Sequence, residues 1–74
     1  MKSRCSAIME LADKTYEQYK YYGDAVANAV IKSLEFQRDF IEVDVFLTKE
    51  EKSDMRLYVS SYIVSFYLDK LHLV

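Results

Sequence analysis

The chain contains no proline and a single glycine, Gly23. Tight hairpins draw on Gly, Asn or Asp at positive φ. An all-β chain of 74 residues with this composition would lack turn chemistry. Helices need no such punctuation. The chain therefore reads as mainly α: one domain over residues 1–74, three helices, and an extended segment at about 41–47 between the second and the third.

The first helix is expected from about Ser3 to Tyr22. Cys5, Ile8, Ala12, Thr15, Tyr19 and Tyr22 recur at spacings of three and four, and Met9 and Tyr16 widen that face. Glu10 and Lys14 stand one helical turn apart with opposite charge. Gly23 suits a left-handed C-cap and Asp24 an N-cap for the next helix. The alternative at this point is one long, bent helix. The second helix is expected from about Ala25 to Phe40. Val26, Ala27, Val30, Ile31 and Leu34 form its main stripe, and Ala29, Phe36 and Phe40 an adjoining one.

Residues 41–47 then alternate apolar and acidic side chains from Ile41 to Val45, which is a strand pattern. The segment is either an extended linker against the core or a strand that pairs with its own copy. Thr48 and Glu51 fit a capping box, and Glu50 and Glu51 suit the positive end of a helix dipole. The third helix is expected to start here and run to about Leu71; its rival is a strand through Leu57–Leu68, where valine, isoleucine and tyrosine are plentiful.

That third helix carries two apolar stripes. Met55, Val59, Tyr62, Phe66 and Leu73 line one face; Leu57, Val64, Leu68 and Leu71 line the nearly opposite one. A helix apolar on both sides must be covered on both sides. Chains near this size bury only ~60% of the surface their unfolded form exposes. Oligomerisation, disulfides or metals commonly make up the difference. Cys5 is the only cysteine, so no intramolecular disulfide exists. Leu57, Val64, Leu68 and Leu71 are therefore the expected self-interface of a dimer or higher oligomer. Serines 60, 61 and 65 keep its flanks small. The competing reading buries both stripes inside one chain.

The formal net charge is −2. Residues 23–47 hold five acidic and two basic side chains, and no basic stripe appears anywhere. That balance disfavours binding to a phosphate backbone. DNA binding through Lys14 and Lys20, or through Lys49, Lys52 and Arg56, ranks last among the partners considered. No apolar run approaches the ~18 residues needed to span a bilayer. Lys2 and Arg4 open the chain, but Glu10 and Asp13 interrupt any signal-peptide pattern. With a lone thiol, this leads to the expectation of a cytoplasmic protein.

The inventory for catalysis is thin. One glycine excludes a Walker loop and a dinucleotide fingerprint. No Cys or His spacing suits a metal, and no cofactor is implied. His72 is the only histidine, and it suits the dipole at a helix C-terminus better than a role as base to Cys5 or a serine. Cys5 reads as a small buried apolar residue. Glu50 and Asp54 lie one turn apart, yet capping explains them. Glu35, Asp39, Glu42 and Asp44 could present an acidic surface to a basic partner. The chain is not expected to be an enzyme.

Tyrosine is the remaining signal: seven in the chain, four of them between Tyr16 and Tyr22. Tyr16, Tyr19, Lys20, Tyr21 and Tyr22 form a candidate partner or ligand surface. They would serve as a protein contact, or as a platform for stacking a base with lysine near a phosphate. A purely structural role makes Tyr19 and Tyr22 core residues with surface hydroxyls. Taken together, small size, acidic balance, surplus apolar surface and no catalytic inventory resemble small accessory or regulatory proteins, among them many phage-encoded inhibitors of host enzymes. The two-sided apolar character of the third helix leads to the expectation of a non-enzymatic protein that self-associates through that helix. It would engage, and in the manner of such inhibitors regulate, a partner protein through the Tyr16–Tyr22 surface or the acidic middle. The alternative is a small-ligand or nucleotide-binding module.

Overall fold

The computed structural model describes residues 3–71, with side chains described through Asp69. Helix α1 spans Arg4–Tyr22, a 3₁₀ turn spans Gly23–Val26, α2 spans Ala27–Glu42 and α3 spans Lys49–Leu71. No strand occurs among the described residues. The mainly helical reading holds, but the expected three separate helices do not. Helical structure is continuous from Arg4 to Glu42, so α1 and α2 are arms of one bent run and α3 is the second run.

Local chemistry explains each boundary. Ser3 caps α1: its hydroxyl accepts the Ser6 N–H at 3.0 Å. Gly23 ends α1, its N–H donating to Tyr19 O. Its φ of 64° and ψ of −145° lie outside the left-handed helical well, in territory open essentially only to glycine. Asp24 does not cap α2 as expected. The residue preceding α2 is Val26, with no side-chain cap, because the 3₁₀ turn leads directly into the helix. A Cβ on Gly23 would meet nothing within 4 Å, so the cost of Gly23→Ala is all backbone. That variant is expected to lose about 1–3 kcal/mol in urea unfolding. A loss under 0.5 kcal/mol would show that the bend tolerates an ordinary residue.

The expected extended segment at 41–47 is absent. Ile41 lies two turns beyond Leu34 and is buried with it, which carries α2 to Glu42. The chain then turns: Val43 N–H donates to Phe40 O and Asp44 N–H to Ile41 O. The Asp44 carboxylate accepts the Phe46 N–H at 2.8 Å, an Asx turn that aims Leu47 into the core. The apolar–acidic alternation belongs to a helix end and a turn. The capping box that starts α3 forms as expected. Glu51 N–H donates to Thr48 Oγ1 at 3.1 Å, and Thr48 N–H donates to Glu51 Oε1 at 2.9 Å.

Both arms of the bent run and α3 contribute to one core. Ala12 and Tyr16 meet Val30, Ile31 and Leu34, with Met55, Val59, Ile63 and Phe66 closing it from α3. The molecule measures 36 × 23 × 18 Å. Its thinnest dimension is less than two helix diameters, so each helix keeps an outward face.

Candidate protein interface

The tyrosine segment divides between core and surface. Tyr16 is buried, stacks on Tyr62 at 4.7 Å between ring centroids, and donates its hydroxyl to Asp69 at 3.3 Å. Tyr19 is half-buried and tilts against Phe66. Lys20, Tyr21 and Tyr22 face outward, and Tyr21 and Tyr22 meet edge-on. The five residues do not share one surface, and Tyr22 is not the partly buried residue its place on the stripe suggested. Between Tyr58, Tyr62, Tyr16, Tyr19 and Phe66 the rings form a ladder that joins α1 to α3.

That ladder is anchored by a group the sequence reading missed. Asp13 Oδ1 accepts the Tyr58 hydroxyl at 2.6 Å and also the Tyr62 hydroxyl. The two hydroxyls hold the Asp13 carboxyl below its ordinary range, Tyr58 contributing most. The same bonds push both phenols up. A signal was available: Asp13 borders the apolar stripe of α1 between Met9 and Tyr16, an expensive place for a carboxylate without partners.

The other candidate groups are engaged in structure. Cys5 is half-buried, with its thiol 3.5 Å from Glu51 Oε2. Burial and that contact push the thiol up, away from the nucleophilic thiolate. The expected acidic surface is broken by pairing. Asp44 accepts from Arg4 at 2.7 Å and Glu42 pairs with Arg56, which leaves Glu35 and Asp39. Two of the α3 cations are engaged at the surface, Arg56 with Glu42 and Lys52 Nζ donating to Glu42 O at 3.0 Å. Glu10 and Lys14 pair at 3.6 Å. Among the described residues no three His, Cys, Asp or Glu converge on a metal position. His72 and Leu73 lie outside the described residues.

What remains is apolar surface. On α3, Met55, Val59, Ile63 and Phe66 turn inward, while Leu57, Val64 and Leu68 stay exposed, Leu57 at 68%. The reading that buries both stripes in one chain is not realised. The side chain of Leu71, the fourth expected interface residue, lies outside the described set. Leu57–Leu68 holds no Asp, Glu, Lys or Arg, the charge-poor composition of interface cores.

A second face lies on α2 and the turn after it. Phe36, Phe40, Val43, Val45 and Phe46 are exposed, Phe40 at 67%. With Leu11 of α1 and Ile41, several of them line a groove of about 440 Å³. Arg4 covers one end, its guanidinium 5.4 Å from the Phe46 ring centre. Sequence reasoning named Phe36 and Phe40, but reading 41–47 as extended hid the continuation through Val43 and Phe46.

No helix among the described residues is long and apolar enough to cross a membrane. The chain matches no family model, no curated protein sequence and no solved structure.

Proposed function

We propose that this chain is a non-enzymatic interaction protein of the cytoplasm. It self-associates through the outward face of α3 and regulates a partner protein by docking to it. The observation that carries the reading is the charge-free stretch Leu57–Leu68, which keeps Leu57, Val64 and Leu68 exposed although the core is already closed beneath them. Removing such a stripe from water is the natural driving force for association. Its serine flanks let a second helix approach closely. Loss of Tyr16 and Tyr19 to the core removes half of the stacking platform that a nucleotide site would need, and it leaves Lys20, Tyr21 and Tyr22 as a smaller contact for a partner.

Val64→Glu tests this. Val64 faces away from the core, so the variant is expected to keep its helical circular dichroism. In light scattering after size exclusion, wild type is expected above the monomer mass of 8.7 kDa at high concentration, and the variant as a smaller species. A wild-type chain that stays monomeric across the dilution series would overturn self-association.

A further inference from the structure

We propose that the outward face of α2 is a second self-complementary interface, pairing antiparallel with the same face of another copy. Ala29, Ser33, Phe36, Phe40 and Val43 follow spacings of four, three, four and three, the seam of paired helices. The seam is graded. Its N-terminal end carries the small Ala29 and Ser33; its C-terminal end carries exposed Phe36 and Phe40. Antiparallel pairing seats the two rings of one copy over the two small residues of the other. Parallel pairing would stack ring on ring and leave the small end hollow.

Charge selects the same arrangement. Lys32 and Asp39 flank one edge of the seam, seven residues apart and both exposed, with neither in an ion pair among the described residues. They stand about 10 Å apart along the helix. A two-fold axis crossing α2 near Glu35 sets Phe36 over Ser33 and Phe40 over Ala29, and it brings Lys32 of each copy within reach of Asp39 of the other, so two ion pairs form. A parallel pair would set that edge against the opposite edge of the partner, where Gln37 stands, and would form neither ion pair. Leu11 and Phe46, beside the seam, widen the contact beyond one helix, toward the ~800 Å² per partner of a standard interface. This interface is independent of the one assigned to α3.

Sedimentation velocity over a dilution series separates the two. Val64→Glu is expected to leave a dimer held by α2, Phe40→Glu a dimer held by α3, and the combined variant a monomer. In the Val64→Glu background, Lys32→Glu alone or Asp39→Lys alone should weaken the remaining dimer by about tenfold, since each introduces two like-charge oppositions. Lys32→Glu with Asp39→Lys should restore it. If Val64→Glu alone is monomeric, the α2 interface is absent while the α3 reading stands. If Val64→Glu matches wild type and Phe40→Glu is monomeric, α2 stands and the α3 reading fails. A dimer that survives Phe40→Glu in the Val64→Glu background overturns the proposal. So does a double charge swap that fails to restore. The charge variants change only exposed side chains, so the test does not depend on Phe40→Glu remaining folded.

Discussion

Leu34→Ala is expected to leave the chain unfolded or close to it, losing about 2–5 kcal/mol. Leu34 is fully buried where α1, α2 and α3 meet. Truncation removes its transfer free energy and leaves a cavity that helices on three sides cannot fill. A single core in a domain this small rarely supplies more than ~3–5 kcal/mol, so the loss is comparable to the whole. Leu57→Ala removes the same atoms from an exposed position. Measured in dilute monomer, it is expected to change stability by no more than about 0.5 kcal/mol. Urea titration followed by circular dichroism reads both. Equal losses at the two positions would mean that the outward face of α3 is internal core after all, and the interface reading would fall with it.

The Leu34–Leu57 contrast shows where the sequence stops being informative. Periodicity placed both leucines on apolar stripes, and it identified α3 as two-sided. It could not say which stripe faces inward, because Met55, Val59 and Phe66 are no more apolar than Leu57, Val64 and Leu68. Ring contacts from α1 decide that, with Tyr16 and Tyr19 seated on Tyr62 and Phe66. Local signals were legible in the Thr48–Glu51 box and the Glu10–Lys14 pair, whose partners lie within about one turn. Residues 41–47 misled because burial of Ile41 and Leu47 on either side of a turn imitates the period of a strand. The bond between Asp13 and the Tyr58 and Tyr62 hydroxyls spans more than forty residues, so the local pattern marks Asp13 as needing partners but does not say which. The groove beside Phe40 was hidden, since Leu11 reaches it only once α1 and α2 fold against each other.

The polar links of Asp13, Asp44 and Glu51 are expected to give stability two pH limits. On the acid side, Asp13 is held down by the Tyr58 and Tyr62 hydroxyls. Asp44 is held down by the Phe46 N–H and then by Arg4, and Glu51 by the Thr48 N–H and then by the Cys5 thiol. A carboxyl with a lowered folded pKa leaves the unfolded chain binding more protons, so stability falls as pH falls. The contribution is whole above the ordinary values of 3.8 for aspartate and 4.5 for glutamate and is lost below them. On the alkaline side the sign reverses. Burial pushes up Tyr16 and Tyr19, and the bond to Asp13 pushes up Tyr58 and Tyr62. Their contribution is whole below the ordinary value of 10.0 and is lost as pH rises through it. The thermal midpoint should therefore be flat from about pH 5 to about pH 9 and drop on both sides. Asp13 belongs to both limits. Asp13→Asn keeps an oxygen that accepts a hydroxyl but carries no charge, so it should flatten the acid limb in part, with Asp44 and Glu51 still titrating. It should also soften the alkaline limb at Tyr62. Tyr62→Phe should soften both limbs, because Asp13 loses one of its two donors. Thermal midpoints measured at half-unit steps of pH for the three proteins decide the matter. If the Asp13→Asn profile runs parallel to wild type at both ends, the hydroxyl–carboxylate cluster does not couple folding to protons.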